Sequence, residues 1–386
     1  MKRYLLLALA LLALGLIGVW SLGPAIVERQ YNTLSGVPPY PVSARAATLQ
    51  ATLLLADLHA DSLLWGRDLS RRGSRGHVDV PRLIEGRYAL QVFSLSAKVP
   101  RNLNYQRNED NSDVVTWLAL VQRWPVAAWT SRRARALYEA QRLNEFAANS
   151  DSTFSMIRSG QQMRDYLERR RQHPGITAGL LSLEGSSPLE GKVSNLDVLY
   201  AAGFRMIGLS HFVDTDMGGS AAGADKFGLT AKGRELVRAM QERHMIVDLA
   251  HSSAKTIDDV LAVSTRPLVV SHTGIKATCD NNRNLSDAQV RRIAAAGGLI
   301  GIGFWETATC GRDAPAIARA IRAAIDLAGI EHVALGSDFD GAVEAPFDAS
   351  QSAQLTAALL DAGLNEAQIR RVMGENTLIF LENQLP

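Results

Sequence analysis

The chain has 386 residues, of which 47% are hydrophobic, 21% charged and 6% aromatic, with Gly and Pro at ordinary levels. This composition excludes a disordered, collagen-like or multispan membrane protein and leaves one long or two short globular domains. Lys and Arg number 41 against 39 Asp and Glu, so no strong net field favours nucleic acid as a partner.

In chain order, Lys2 and Arg3 precede an uncharged, largely apolar stretch from Tyr4 to Val27. About 20 apolar helical residues cross a bilayer, and leading basic residues favour a cytoplasmic start. Residues 1–28 are therefore expected to be an N-terminal membrane anchor or signal segment, with the body on the periplasmic side of the cytoplasmic membrane. Ser21-Leu-Gly-Pro-Ala25 is a poor cleavage site, which favours an uncleaved single span over a removed signal that would release a secreted enzyme. Residues 29–47 read as a polar, Pro-containing linker and 48–386 as a single domain. Short apolar runs then recur near Leu53–Asp57, Ala89–Leu95, Thr177–Leu183, Arg205–Ser210, Met245–Leu249, Leu268–Ser271, Leu299–Phe304 and Val333–Gly336. Most are followed by a helical pattern. Runs such as Pro267-Leu-Val-Val-Ser271 are too short for helices and too uniformly apolar for half-exposed strands. Eight such units predict a (β/α)8 barrel of the metal-dependent hydrolase kind. Helical stretches over 113–138 and 159–172 enlarge the connection after strand two, and 352–385 reads as two C-terminal helices broken near Gly363.

Six of the eight runs end in His or a carboxylate: Asp57-Leu-His59-Ala-Asp61, Glu184, His211, Asp248-Leu-Ala-His251, His272, and Asp338-Phe-Asp340. A parallel barrel brings these ends to one face, where barrel active sites lie. One such residue is unremarkable, but several together would each need a buried partner. Histidine nitrogen and carboxylate oxygen without thiolate form the donor set of a hydrolytic zinc site. His59 and Asp61, two apart, are placed to grip one ion, His251 and His272 a second, and Glu184 to bridge both. Two Zn2+ per chain would activate a shared water for attack on a carbonyl. Cys279 and Cys310 are the two cysteines; an exported chain allows them to pair, and two separate buried thiols are the alternative.

These residues resemble the membrane dipeptidase (renal dipeptidase) family of zinc metallopeptidases. The likeness spans nearly the whole chain after Thr52 and rests on Asp57-Leu-His-Ala-Asp61, Leu183-Glu-Gly185, Leu209-Ser-His211, Ile246-Val-Asp-Leu-Ala-His-Ser252, Val270-Ser-His272, Arg283-Asn-Leu285 and Gly336-Ser-Asp-Phe-Asp-Gly341. It implies the same five metal ligands, His211 as oxyanion and substrate contact, Arg283 as ligand for the substrate carboxylate and Asp338 as the proton-handling group. It implies a Cys279–Cys310 disulfide as well, and a dipeptide with free termini as substrate. Ser186 stands where the family commonly has a second glycine, and Phe304-Trp305 where mammalian members place a Tyr. The first is expected to alter the floor near Glu184.

Asp57 is expected to support a ligand or cap its turn, and Asp248 to orient a ligand or hold backbone. His77, His173, His244, His332 and Asp340 are expected to be structural or exposed. A related metal-dependent amidohydrolase (a deacylase or lactonase) and an inactive, membrane-tethered binding barrel are the rival readings. Association into a homodimer is left open.

Overall fold

Eight short strands, each buried along its whole length, make the barrel: β1 (Leu55–Ala60), β2 (Tyr88–Leu95), β3 (Thr177–Leu183), β4 (Phe204–Gly208), β5 (Ile246–Asp248), β6 (Val269–Thr273), β7 (Leu299–Ile302) and β8 (Val333–Leu335). Neighbours pair in parallel around the ring, and β8 returns to β1. The computed structural model describes residues 2–37, 40 and 42–386, with side chains 8, 12–14 and 16–17 also left out. Met1 of the expected anchor and Pro38, Pro39 and Pro41 of the expected linker lie outside the described residues.

Burial on both faces accounts for the continuous apolar runs: helices cover the outside while side chains fill the inside. One apolar cluster draws on all eight strands, from Ala56 in β1 to Ala334 in β8, and is joined by Met163, Tyr166, Leu378 and Leu381 from two helices. Those helices, Gly160–Gln172 and Asn376–Gln384, also touch each other. The connection after β2 holds helices Val115–Val121, Val126–Thr130, Arg132–Ala148 and Gly160–Gln172, and a short strand, Phe154–Met156, added beside β3. The C-terminal region has three helical pieces rather than two: Ala353–Asp361, Glu366–Arg370 and Asn376–Gln384, the last two joined by a wider turn over Arg371–Glu375. Gly363, at φ +84°, makes the first break.

The pairing is irregular at two places that bear on function. β1 shifts register against β2 between Asp57 and Ala60, and β6 shifts against β7 between Val270 and Thr273. Such bulges re-aim side chains, and they flank His59 and His272. β1 also runs three residues further than expected and stops at Ala60, so Asp61 opens a short 3-10 turn, Ser62–Leu64, instead of continuing the strand.

The N-terminal helix, Lys2–Tyr31, contains Pro24 and leaves Tyr4, Leu5, Leu6 and Leu9 exposed. Among the described residues, no helix is long and apolar enough to cross a membrane. The described residues thus give the expected anchor no support. Parts of the expected linker are tied down: Thr33–Leu34 pair with Glu344–Ala345, and helix Ala44–Gln50 lies against Ala353–Asp361.

Cys279 and Cys310 form a disulfide, with Cα atoms 5.3 Å apart, joining the connections that follow β6 and β7. Asn284 braces the same junction by donating to the Cys279 and Ala308 carbonyls (2.7 and 3.1 Å). The bridge closes a loop with a sequence separation of 31. Removing a closure of that length lowers stability by about 3–4 kcal/mol in the chain-entropy account. A Cys279→Ser/Cys310→Ser chain should therefore unfold at lower denaturant concentration by that free energy, and reductant should produce the same shift in the parent only.

Candidate metal centre

Glu184 is the hub of the site. It follows β3 directly, with its backbone N–H donating to Leu95 of β2 (3.1 Å), which fixes where the side chain leaves the barrel. The next residue, Gly185, has φ +88°, and a Cβ there would lie 3.0 Å from the His211 nitrogen. Only glycine lets the ends of β3 and β4 approach so closely.

Four histidines surround the Glu184 carboxylate. Oε1 lies 2.9 Å from His251 Nε2, 3.3 Å from His272 Nε2 and 3.5 Å from His59 Nε2; Oε2 lies 3.2 Å from His211 Nε2. Asp61 Oδ2 is 3.3 Å and Asp338 Oδ1 3.8 Å from His59 Nε2. His251, His272 and the other donors are all buried. Three overlapping sets of donor atoms, each within 4.8 Å of one another, can hold a cation: His59, Glu184 and His272; Glu184, His211 and His251; His59, Asp61 and Asp338. Sequence reasoning joined His59 and Asp61 to one ion and His251 and His272 to another. In space all of these converge, with His211 and Asp338 beside them.

The arrangement fits a cationic group on three grounds. First, His251 Nε2 and His272 Nε2 are 2.9 Å apart, close enough for both nitrogens, when unprotonated, to face one cation. Second, ring orientation suits Nε2 ligation at two histidines. Ser271 Oγ lies 2.9 Å from His272 Nδ1 and 3.4 Å from His59 Nδ1, and one hydroxyl oxygen has lone pairs for both Nδ1–H groups. Third, three carboxylates are enclosed together. Burial, then the neighbouring Asp61 charge, pushes Glu184 well above the ordinary carboxylate range. Burial, opposed by His59, pushes Asp338 up to about 8. Asp61 Oδ1 is buried without a hydrogen-bond partner among the described residues. Although burial alone would lower it, Asp61 and Glu184 hold the metal-free His59 up at about 10, while burial and the Arg283 charge keep His251 neutral. His211 is lowered by burial to about 3.

The supporting residues are clear in space. Asp57 accepts from Gln91 Nε2, Ser337 N and Ser337 Oγ, each at 2.7 Å, tying β1 to β2 and the β8 end. Asp248 Oδ1 accepts from the Ala250 and Ser271 backbones (3.0 and 2.9 Å), so it holds the backbone just before His251 and His272 instead of orienting a ring. Ser186 turns away from Glu184: its hydroxyl donates to Leu209 O (2.6 Å) and meets Thr215 Oγ1 (3.1 Å). The expected change to the floor at Glu184 is therefore not made by this hydroxyl. His173 and His244 are exposed and His332 half-buried.

Arg283 Nη2 donates to His272 O (2.8 Å) and lies 3.2 Å from His251 Nε2. Asp280 pairs instead with Lys276 (3.1 Å), and among the described residues Arg283 forms no ion pair. Its Nε and the indole Nε1 of Trp305, whose ring lies 5.4 Å from the guanidinium carbon, are both buried without partners. Tyr105 was missed from sequence. Its ring lies 5.7 Å from Phe212, which itself contacts His211 and His251, and its phenol is pushed up by burial and by the Asp338 charge. Tyr105 belongs to the connection after β2, which crosses the mouth where Asn108 N donates to Ala222 O (2.8 Å) and Asn282 Nδ2 to Gln106 Oε1 (2.9 Å). No periodic signal marks such a residue; its aromatic character amid polar neighbours is the one hint.

A closed parallel barrel with imidazole and carboxylate donors gathered at its strand ends has the architecture of the metal-dependent hydrolases. The chain belongs to the membrane dipeptidase family (peptidase family M19), whose sequence model matches residues 43–384. It is 29% identical over 318 residues to the dipeptidase tcpJ of Claviceps purpurea, an alignment covering 79% of this chain and 69% of that protein. Among solved structures, an M19 metallopeptidase described as dipeptidase AC superposes with a TM-score of 0.69 at 25% identity, covering 86% of this chain and 99% of the other. A metallopeptidase from Rhodobacter sphaeroides superposes at 0.70 with 24% identity over 86% and 99% of the two chains, and supports the fold.

Two measurements test the donor arrangement. Ser271→Ala leaves two Nδ1–H groups without their acceptor, so metal affinity should fall about 10- to 100-fold in competition with a chelator while the fold persists. Metal uptake should also release protons. His59 keeps its proton below about pH 10 in the metal-free protein, yet only neutral imidazole ligates, so affinity should rise with pH up to that value. Calorimetric titrations in buffers of different ionisation enthalpy count the protons; none released at pH 7 contradicts this arrangement.

Proposed function

We propose that the protein is a zinc-dependent dipeptidase that hydrolyses the peptide bond of small dipeptides with free termini. The observation that carries this reading is the convergence of His59, Asp61, His251 and His272 on Glu184, in a chain of this family. His59, Asp61, Glu184, His251 and His272 would hold two Zn2+ ions. When bound, such ions lower the pKa of water and polarise the scissile carbonyl.

The chain's own residues supply orientation and proton movement. Ser96 Oγ, 3.1 Å from His211 Nδ1, can donate there, which leaves Nε2–H of a neutral ring to face the oxyanion that forms on the substrate carbonyl. Asp338, raised by burial to about 8, is suited to take a proton from the attacking water and deliver it to the leaving amine. Arg283, with Nε free, holds the terminal carboxylate through charge-assisted hydrogen bonds, which limits substrates to those ending one residue past the scissile bond. Residence in an oxidising, extracytoplasmic compartment is part of the proposal and is supported by the Cys279–Cys310 bridge.

The test is an assay on a dipeptide library with metal content determined on the same sample. Glu184→Gln keeps the shape and removes the charge; it should lower metal loading and reduce kcat by about two orders of magnitude or more. Near-normal turnover with two bound metals rules out the shared carboxylate. Arg283→Ala should lower kcat/KM on a free dipeptide about 10- to 150-fold, the equivalent of a charge-assisted contact, with partial recovery in Arg283→Lys. Amidating the substrate should hurt the parent similarly and add little to Arg283→Ala. Equal cleavage of acid and amide by the parent rejects the role given to Arg283.

A further inference from the structure

The connection that carries Asp338 has an unusual backbone. Asp338, Asp340 and Ala342 have φ of 60°, 63° and 59°, a region that residues with a Cβ seldom adopt. Between them, Gly341 lies so close beneath Asp338 that a Cβ would come 2.1 Å from its Oδ1. Such a loop persists only where its surroundings over-determine it.

The surroundings act through Asp340. Its carboxylate is fully enclosed and accepts four hydrogen bonds: from Ser62 Oγ and Arg67 Nη2 (each 2.6 Å) and Val78 N (3.2 Å) at Oδ2, and from His77 N (2.6 Å) at Oδ1. The backbone of Asp340 is held too, its carbonyl by Trp65 Nε1 (2.6 Å) and its N–H by His77 Nδ1 (3.0 Å). None of these partners reaches Glu184 or the histidines around it. The clamp extends outward from the barrel. Arg67 is wedged between Asp340 and Glu28, a buried residue near the end of the N-terminal helix, and Arg75 pairs with Glu28 from the other side. Asn32 Oδ1 accepts from Ala342 N (2.9 Å), and Thr33 O from His77 Nε2 (3.1 Å). Glu28, Asn32 and Thr33 precede residues 43–384, the span matched to the family.

We propose that Asp340 is the positioning residue that holds Asp338 over the site, and that residues 28–33 form the outer half of the same clamp. The proposal rests on the reading of Asp338 as the proton carrier. The end of the N-terminal helix and the residues just after it are thus part of the active-site scaffold.

The experiment uses the full-length, metal-loaded chain and reads kcat, KM, bound metal and melting temperature on one dipeptide for Asp338→Asn, Asp340→Asn, Ser62→Ala, Glu28→Gln and the double variant Asp338→Asn/Asp340→Asn. Asp340→Asn should lower kcat by about 10- to 100-fold, with KM and bound metal near those of the parent. Glu28→Gln and Ser62→Ala, which spare the Asp340 carboxylate, should lower kcat about 3- to 10-fold and keep the proposal testable if Asp340→Asn does not fold. The double variant should match Asp338→Asn, because a residue acting through another adds nothing once that other is gone. Multiplying losses, or a lowered melting temperature with kcat per metal-loaded molecule unchanged, overturns the clamp. A kcat loss in Asp338→Asn with none in Glu28→Gln, Ser62→Ala or Asp340→Asn overturns the clamp alone. Parent-like kcat in Asp338→Asn removes the proton role, and the clamp's purpose with it.

Discussion

Glu184, Asp61 and Asp338 are carboxylates withdrawn from water at one end of a barrel, where little solvent remains to screen their mutual repulsion. Arg283 brings one positive charge to the same mouth and His59, when protonated, a second. Much of the surrounding structure follows from holding this set together. The bulges beside His59 and His272 aim rings inward, Ser271 fixes those two rings, and Asp248 pins the backbone just before His251 and His272. Cations held by these donors would relieve the repulsion.

The supporting residues divide the labour by height in the barrel. Asp57 lies deeper in β1, where three hydrogen bonds to it lock β1, β2 and the β8 end. It never faces the Glu184 cluster, although it stands in the same Asp57-Leu-His59-Ala-Asp61 stretch as two members of it. A single stretch thus contains a brace, a strand-end imidazole and a turn-opening carboxylate. The change from strand to 3-10 turn after Ala60, not strand alternation, brings Asp61 within 3.3 Å of His59.

Strands and gathering of donors were legible because each apolar run ends on a polar residue and parallel topology puts all such ends on one face. What was not legible depends on contacts between residues distant in sequence. Ser62 and Asp340 are 278 positions apart, and no period records their meeting. Asp340 therefore looked like a bystander next to Asp338, His77 like an isolated histidine, and residues 29–47 like a connector. The bulges were hidden for a related reason: register is a property of two strands, and a single apolar run does not encode its partner's phase. The cysteines by themselves offered only a parity argument; their pairing was implied by the family resemblance, and the structure joins them.

The connection after β2 has a separate consequence. Tyr105, Gln106 and Asn108 come from this excursion and reach across the mouth to the Ala222 and Asn282 connections, yet none of the donors around Glu184 belongs to it. Chamber wall and reaction centre are therefore largely separate, meeting at Ser96, which lies 3.1 Å from His211 Nδ1. Beyond Ser96 and Tyr105, this flap can lengthen, shorten or change its side chains while the donors around Glu184 stay in place.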